Sequence, residues 1–224
     1  MINLKKTIYR FIFFLSLTSC SSFPSNNIAP GYQEAFVAIG NFISGYEESI
    51  INKDLIDKIP YASSALKIGK GPTGLIILEG KRGSKYTWVS ADGIYIVIEN
   101  GRIIQTAGLV NNLTNLVDPF SGKNFLKEFD QQEVYKYYQS YDKPLLRNME
   151  LEVTIKKEAK ESIDIYGNKM ELQIYTETKV NKYIGWNSEN KYWVDEDFFV
   201  WKSVQNISPK IPKIIIEVTK KPSI

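Results

Sequence analysis

The sequence of 224 residues contains no histidine and only one cysteine, Cys20. Without histidine the chain cannot build a Ser-His-Asp triad, a Cys-His pair or a metal site based on imidazole. A single cysteine cannot form an internal disulfide or a cluster of thiolate ligands. The sequence therefore predicts no cofactor and no metal, and a fold whose stability comes from its packed core.

A surplus of positive charge is also missing outside the N-terminus. The chain has 28 Lys and Arg against 25 Asp and Glu, and three of the cations, Lys5, Lys6 and Arg10, precede Cys20. No acidic residue lies in that segment, so cleavage before Cys20 would leave 25 residues of each sign. Because nucleic-acid-binding domains carry a basic surplus, the composition predicts no nucleic-acid partner.

Long apolar runs are absent after residue 20, where no stretch approaches the ~18 apolar residues that span a bilayer. Before it, three cations are followed by a short apolar run at residues 11–17, which is the layout of a secretory signal. The sequence Leu17-Thr18-Ser19-Cys20 resembles the lipobox of bacterial lipoproteins, in which the cysteine is lipidated and becomes the first mature residue. We therefore predict a signal peptide over residues 1–19 and a lipid on Cys20 that attaches the protein to a membrane.

The residues after Cys20 indicate how the anchor is used. Residues 20–31 are polar and contain Pro and Gly, which is typical of a flexible tether. In proteobacterial lipoproteins an aspartate directly after the cysteine usually causes retention in the inner membrane. By that resemblance Ser21 indicates the outer membrane, with the domain facing the periplasm.

Residues 32–224 predict a single mainly β domain with an N-terminal helix. Apolar residues recur at spacings of three and four over 32–52, as on one face of a helix. From residue 62 the period changes to two, and Asp92-Gly93 and Asn100-Gly101 are typical of tight turns between antiparallel strands. Consecutive hairpins of this kind favour an antiparallel sandwich or a barrel-like meander.

The predicted strands are unevenly distributed along the chain. Residues 111–147 are less regular, and the tyrosine-rich run within them fits either a helix or a loop. Strands are predicted at 62–69, 73–81, 84–91, 93–99, 102–107, 150–159, 169–180, 182–187, 190–196, 198–206 and 212–219.

Two groups of side chains on the last strands are candidates for contact with a ligand. Asp195 lies in an acidic run beside Trp193, and a glycan-cleaving enzyme needs two carboxylates near aromatic rings. Because neighbours on a strand point to opposite faces, the run also fits a solvated turn. With a period of two, Trp201 and Gln205 share one strand face with Ser203, and a ring beside polar groups suits a sugar. The alternative is that these tryptophans fill the core.

Arg102 is the remaining candidate. It follows the turn at 100–101, and it is one of few arginines in a chain rich in lysine. A guanidinium among apolar neighbours fits either a buried salt bridge or a donor to the carboxylate or carbonyl of a ligand.

Short motifs along the body occur in an order that resembles a known family. They are Pro60-Tyr61-Ala62-Ser63, WVSADG at 88–93, GRIIQTAGL at 101–109, Asp118-Pro119, NKYWVD at 190–195 and VWKSVQ at 200–205. With the lipobox, they resemble the YjbF/GfcB family of bacterial lipoproteins over nearly the whole mature chain. One departure is visible, because Phe198 and Phe199 replace a glycine expected in the turn between the last two motifs.

The resemblance implies a role in the envelope but no chemical activity. It implies an outer-membrane lipoprotein with an antiparallel β fold, linked to the production of group 4 capsule or exopolysaccharide. We therefore expect a non-enzymatic accessory that contacts either glycan or an outer-membrane polysaccharide-export protein, with no catalytic residue. Two alternatives remain: an enzyme that acts on glycan through carboxylates near Trp193, and a structural lipoprotein that binds only proteins.

Overall fold

The computed structural model describes residues 51–223, and within this part of the chain it contains two short helices and twelve strands. The helices are α1 (Lys53–Lys58) and α2 (Phe125–Glu128). The strands are β1 (Ser63–Ile68), β2 (Thr73–Arg82), β3 (Lys85–Ser90), β4 (Tyr95–Glu99), β5 (Arg102–Ala107), β6 (Leu113–Val117), β7 (Tyr135–Tyr141), β8 (Leu146–Ile165), β9 (Asn168–Asn181), β10 (Trp186–Val194), β11 (Val200–Gln205) and β12 (Ile214–Lys220).

All twelve strands belong to one antiparallel sheet in the order β5-β4-β3-β2-β1-β12-β11-β10-β9-β8-β7-β6. Strands that follow each other in sequence are therefore neighbours, except β5 and β6, which form the two ends of the sheet; in addition, β1 pairs with β12. The two ends of the sheet approach each other, because the backbone N–H of Leu113 on β6 donates to Oγ1 of Thr106 on β5 at 3.0 Å. The sheet is nearly closed and barrel-like, which confirms the predicted mainly β fold.

The turn between β4 and β5 shows how the sequence dictates these hairpins. Asn100 and Gly101 have φ angles of 49° and 84°, so both occupy the left-handed region that a two-residue hairpin turn of this type requires. Gly101 is needed for a second reason, since a Cβ there would lie 2.2 Å from Cγ2 of Val200. This turn brings the start of β5 against β11 inside the sheet.

The irregular segment contains strands that the sequence pattern did not reveal. The tyrosine-rich run forms β7, rather than a helix or a loop. Tyr137, Gln139 and Tyr141 are buried at every second position, but aromatic and polar residues occur on both faces, so no apolar alternation is visible. The strand predicted at 182–187 is also wrong, because residues 182–185 form a turn and β10 begins at Trp186.

The predicted signal peptide and tether lie outside the described residues. So does the helix predicted over 32–52, apart from its last two residues. These two are not helical, and Asn52 instead caps α1, where its Oδ1 accepts a hydrogen bond from the backbone N–H of Leu55 at 2.9 Å.

The interior contains two buried clusters. The first cluster is apolar and includes Leu66, Ile76, Trp88, Ile103 and Ile216, contributed by β1, β2, β3, β5 and β12. The second cluster lies mainly between α2 and the strands β7 to β10. Its members include the α2 residues Phe125 and Leu126 and the strand residues Tyr137, Leu151, Val153, Ile155, Tyr175, Tyr192 and Val194. Charged side chains enter the interior beside this second cluster.

Candidate functional site

Trp193 is buried beneath the distal part of the β8–β9 hairpin, residues 158–172, which we call the arm. Its ring is 9% exposed, and its Nε1 donates to Oε2 of Glu161 on the arm at 2.6 Å. Nζ of Lys202 lies 5.4 Å from the centroid of the Trp193 ring. Trp193 is therefore covered by the arm and counts among the buried residues.

The arm is folded against the sheet rather than extended into solvent. Ile165 and Leu172 on the arm are each only 2% exposed. Burial and, to a smaller extent, the charge of Glu217 on β12 raise the pKa of Tyr166, at the tip of the hairpin, to about 12. The tip of the arm therefore lies near β12, which explains why Trp193 is covered.

Asp195 organises the turn between β10 and β11. Its Oδ1 accepts hydrogen bonds from the backbone N–H groups of Asp197 at 3.0 Å and Phe199 at 2.8 Å. Its Oδ2 accepts one from Nε1 of Trp201 at 2.9 Å, and Nζ of Lys221 lies 3.7 Å from the same oxygen. The carboxylate thus has four partners within the chain, which is the arrangement of a turn-forming aspartate.

The predicted shared face of Trp201, Ser203 and Gln205 is wrong. In the ladder between β10 and β11, Trp193 pairs with Lys202 and Val194 pairs with Val200, so Trp201 is the extra residue of a β-bulge. The bulge interrupts the alternation. Trp201 packs edge-to-face on Phe199 at 5.1 Å, whereas Ser203 and Gln205 are buried in the interior.

Gln205 has no free polar atom to offer a ligand, and this corrects its selection as a contact residue. Its Oε1 accepts from the backbone N–H of Ile103 at 2.9 Å. Its Nε2 donates to the backbone oxygen of Gly101 and to Oγ of Ser203, both at 2.9 Å. Gln205 therefore ties β11 to β5 across the interior.

Arg102 is also buried, with 5% of its surface exposed, and it forms salt bridges rather than an open binding site. Its Nη1 donates to Oδ2 of Asp118 at 2.8 Å. Its Nη2 donates to Oε1 of Glu177 at 2.6 Å and to the hydroxyl of Tyr137 at 2.7 Å. The guanidinium carbon lies 3.6 Å from the centroid of the Phe125 ring, so a ring on α2 covers one face of the charge.

Glu177 is the centre of this buried network. Its Oε2 accepts from Nδ2 of Asn190 at 2.7 Å and from the hydroxyl of Tyr192 at 2.9 Å. Burial alone would raise the pKa of Glu177, but the opposite charges of Arg102 and Lys179 lower it overall. Both carboxylate oxygens are hydrogen-bonded, so Glu177 has the environment of a permanently ionised structural group.

The two cations of the network respond to burial in opposite ways. Burial disfavours the charge of Arg102, yet Glu177 and the surrounding acidic groups hold its pKa well above the ordinary value. Burial lowers the pKa of Lys179 to about 8, and Glu177 only partly opposes this effect. Nζ of Lys179 donates to the backbone oxygen of Asn206.

The space inside the network is too small for a substrate. The cavity bounded by Arg102, Tyr137, Glu177 and Lys179 has a volume of about 10 Å³, which is close to the lower limit for one water molecule. Nε of Arg102 has no hydrogen-bond partner among the described residues. The network therefore has the geometry of a structural connection between β5, β7, β9 and β10.

A larger cavity lies in the first, apolar cluster and has a volume of about 150 Å³. Four aromatic residues and two serines are among the residues that line it. They are Ser64, Tyr86, Trp88, Phe198, Phe199 and Ser203.

Sequence reasoning identified Arg102 but missed its main partner. Glu177 lies in the segment Tyr175-Thr176-Glu177-Thr178-Lys179, in which polar residues occupy both strand faces. One signal was overlooked. Tyr175, Glu177 and Lys179 occupy every second position, so their side chains lie on the same strand face, and an aromatic residue such as Tyr175 suits the interior. No apolar alternation marks the inner face of this strand.

Two classes of feature are absent from the part of the chain that the structure describes. Among residues 51–223, no cluster of three or more metal-ligating side chains is present. No helix in the same range has the length and apolar character needed to cross a membrane.

Comparisons with known proteins agree with the fold and identify the family. The crystal structure of the hypothetical lipoprotein YmcC from Escherichia coli (K12) superposes with a TM-score of 0.73 at 18% sequence identity, and the match covers 88% of this chain and 98% of that chain. No curated protein matches the sequence. The model of the YjbF family, described as group 4 capsule polysaccharide lipoprotein GfcB, matches residues 36–219. The chain therefore belongs to the YjbF family of group 4 capsule polysaccharide lipoproteins.

Proposed function

We propose that the protein is a non-enzymatic accessory of capsule or exopolysaccharide production, held at the outer membrane by a lipid on Cys20. The observation that carries the proposal is membership of a family described as capsule polysaccharide lipoproteins. The sequence Leu17-Thr18-Ser19-Cys20 supports the lipid attachment, because a lipidated cysteine supplies the anchor. We place the domain on the periplasmic side, as Ser21 and the polar tether at 20–31 suggest.

The absence of catalysis in this proposal is supported by the state of the acidic side chains. Glu177 is enclosed with its cations in a space of about 10 Å³. Asp195 accepts hydrogen bonds from three donors of its own turn. A general acid or base must be able to reach the proton that it transfers. Glu177 lacks that access, and hydrogen bonds within the turn already occupy both oxygens of Asp195.

The proposed contact with glycan or with an export protein uses the surface around Trp201. Trp201 is half-buried, and it forms one group with Phe199 and Lys221, whose Nζ lies 4.4 Å from the centroid of the Phe199 ring. Half-exposed aromatic rings beside a cation suit the flat C–H faces and hydroxyls of a sugar or the polar rim of a protein interface. Trp193 lies buried beneath the arm, while Arg102 and Gln205 support the fold from inside.

Gene replacement in the native host tests the proposal. Deletion should reduce the amount or change the chain length of surface polysaccharide, and the wild-type gene should restore it. The variant Cys20→Ser should lose membrane attachment and fail to restore the polymer, whereas Ser22→Ala, a matched change two residues away, should behave as wild type. Unchanged polysaccharide in the deletion strain would refute the role in its production.

A second experiment separates the accessory from an enzyme. Purified wild-type protein incubated with the isolated polymer should leave its size and composition unchanged. If the polymer is cleaved, and Asp195→Asn abolishes the cleavage while the protein remains folded, the enzyme alternative is correct. A glycan array and a pull-down with outer-membrane export proteins then distinguish glycan contact from protein contact, with Trp201→Ala expected to weaken whichever interaction is present.

A further inference from the structure

The loops on the two sides of the sheet carry opposite charges. Six loops lie on the side where β1 finishes, which we call the basic end: 69–72, 91–94, 108–112, 142–145, 182–185 and 206–213. These loops contain five lysines and two acidic residues, whereas the other five loops between consecutive strands contain two lysines and seven acidic residues. Charges that balance over the body of the chain are therefore segregated in the fold.

Most lysines of the basic end are available to a partner. Four of the five are exposed and form no salt bridge with another residue of 51–223: Lys70, Lys143, Lys210 and Lys213. The fifth, Lys182, is paired with Glu152, whose Oε1 lies 2.5 Å from its Nζ. Most of the positive charge at this end thus has no counterion within the described part of the protein.

Exposed apolar side chains are concentrated at the same end. Of the seven large hydrophobic side chains exposed among the described residues, five lie on or directly beside these loops: Val110, Leu145, Leu146, Tyr183 and Ile184. Tyr183 is 90% exposed and Val110 is 78% exposed. The other two, Val117 and Val134, lie on the opposite side of the strands. Single exposed apolar residues are ordinary, but their concentration at one end marks an interaction surface.

Hydrogen bonds join several loops of the basic end into one surface. Nδ2 of Asn111 donates to the backbone oxygen of Lys143 at 2.8 Å, and the backbone N–H of Gly69 donates to the backbone oxygen of Lys213 at 2.9 Å. Oγ of Ser208 donates to Oδ1 of Asn111. The loops 69–72, 108–112, 142–145 and 206–213 therefore hold one another in place.

The turn that carries Tyr183 and Ile184 is fixed by its own hydrogen bonds. The backbone N–H groups of both residues donate to Oδ1 of Asn181, at 2.9 and 3.0 Å. Nδ2 of Asn181 donates to the backbone oxygen of Glu150 on β8 at 2.9 Å, which holds the turn beside the start of that strand. Two of the most exposed apolar side chains thus project from an ordered backbone, so little further backbone ordering is needed when they bind.

The combination of apolar tips and unpaired lysines fits an anionic lipid membrane. Valine, leucine and isoleucine side chains gain free energy by leaving water, and a tyrosine suits the boundary between lipid and water. Lysines are attracted to anionic lipid headgroups. A soluble polyanion would neutralise the lysines but leave the apolar tips in water, whereas an uncharged apolar surface would do the reverse. A bilayer with anionic headgroups satisfies both.

We propose that the basic end is a docking surface for a membrane that contains anionic phospholipid. The apolar tips at 110, 145–146 and 183–184 enter the lipid–water boundary, and the surrounding lysines face the headgroups. The chain enters β1 on the opposite side of the strands, at Ser63. The contact is therefore distinct from the lipid anchor proposed above, and it requires no polysaccharide.

Binding to vesicles without the protein's own lipid tests the proposal. The protein is the mature chain, residues 20–224 with Cys20→Ser, so that neither a signal peptide nor an acyl chain contributes. It should sediment with vesicles of phosphatidylcholine and phosphatidylglycerol in equal parts, with an affinity about tenfold or more above that for phosphatidylcholine alone. Added salt should weaken the binding, because it screens the exposed lysines.

Substitution of the apolar tips tests insertion into the lipid. Tyr183→Ser combined with Ile184→Ser should weaken binding to the phosphatidylglycerol vesicles by about tenfold, because apolar surface is lost. Val117→Ser combined with Val134→Ser is the matched control on the opposite side and should bind as the parent does. Thermal unfolding verifies that both variants keep the native state.

Substitution of lysines tests the electrostatic part independently. Lys143→Ala combined with Lys213→Ala should weaken binding by about tenfold or more, since each lysine near an anionic surface contributes to the affinity. Lys85→Ala combined with Lys123→Ala removes two exposed lysines on the opposite side and should have little effect. Because the two sets of variants remove different chemistry, each remains informative if the other disturbs the fold.

Several results would overturn the proposal. They are no saturable binding to the phosphatidylglycerol vesicles, equal binding to both kinds of vesicle, and equal losses in the variants from the two sides. Binding of polygalacturonate, an acidic polysaccharide, without binding of vesicles would show that the basic end serves a polyanion instead. Self-association that salt disrupts, again without binding of vesicles, would show that it meets the acidic loops of a second copy of this chain.

Discussion

The two buried regions of the sheet interior solve the problem of polar groups in opposite ways. Around Arg102, the charged side chains face one another and leave a volume of about 10 Å³. Around Ser64, the walls are mostly apolar, a hydroxyl is unpaired, and about 150 Å³ remains. The regions therefore differ both in polarity and in how completely they are filled.

This difference indicates which region is structural and which has room for a ligand. A buried charge without partners would destabilise the fold, so the Arg102 network must be nearly complete in the protein alone. A single unpaired hydroxyl destabilises the fold by only about 1–3 kcal/mol, so the region around Ser64 can remain incompletely paired. Perturbed pKa values are thus the weaker guide here, because the strongest shifts occur where the structure leaves no access for a substrate.

Removal of the central cation should have the largest effect on stability. Arg102→Ala leaves the carboxylates of Asp118 and Glu177 without their partner in the interior, and we expect a loss of about 3–5 kcal/mol in the free energy of unfolding. Urea denaturation followed by tryptophan fluorescence measures the loss. Arg82→Ala, a change at an exposed arginine near the end of β2, should cost less than about 0.5 kcal/mol.

The comparison between the two regions would fail if Arg102→Ala lowered the free energy of unfolding no more than Arg82→Ala does. That outcome would mean that water enters the network and solvates Glu177. A partial restoration of stability in Arg102→Ala combined with Glu177→Gln is expected, because the second change removes the uncompensated charge.

The buried Lys179 should have a smaller effect on the free energy of unfolding, and this effect should depend on pH. Burial lowers the pKa of Lys179 from 10.5 to about 8, so below pH 8 the folded state must enclose a charged ammonium. Between about 8 and 10.5 the unfolded chain binds a proton that the folded chain lacks. The contribution of Lys179 to the free energy of unfolding should therefore rise with pH in this window, with a slope of at most about 1.4 kcal/mol per pH unit.

Denaturation at several pH values between 8 and about 9 checks this slope. At higher pH the unfolded chain loses tyrosine protons at the ordinary pKa of 10.0, whereas burial keeps the protons on Tyr137 and Tyr192 in the folded chain, and this difference lowers the free energy of unfolding. Lys179→Met should abolish the rise, whereas Lys210→Met, at an exposed lysine, should retain it. A flat profile in the parent protein would show that Lys179 is hydrated in solution.

Local sequence signals predicted much of the fold, because tight turns and alternation act over a few residues. The pairs Asp92-Gly93 and Asn100-Gly101 marked the hairpins β3–β4 and β4–β5, and their glycines have the positive φ angles expected. The run Tyr135–Tyr141 was not predicted as a strand, because its residue types do not distinguish the buried face from the exposed one.

The candidate site was less predictable, since its contacts join distant parts of the chain. Arg102 and Glu177 are separated by 75 residues in sequence, and nothing local indicates that they pair. The predicted shared face of Trp201, Ser203 and Gln205 depended on unbroken alternation, which a single bulged residue reverses. The cavity arises from residues on several strands and depends on Phe198, whose backbone conformation departs from the ordinary preference of its residue type.

The smallest expected effect concerns that conformation, and it tests whether the wall of the cavity is built as described. Phe198→Gly and Phe198→Ala both lose the ring, but only glycine relieves the strain at φ 63°. The glycine variant should therefore be more stable than the alanine variant by about 1 kcal/mol. Phe199 has no positive φ, so at that matched position alanine should be the more stable by about 0.5–1 kcal/mol. Thermal unfolding of the four variants measures both differences. Greater stability of the alanine variant at both positions would mean that Phe198 is not left-handed in solution.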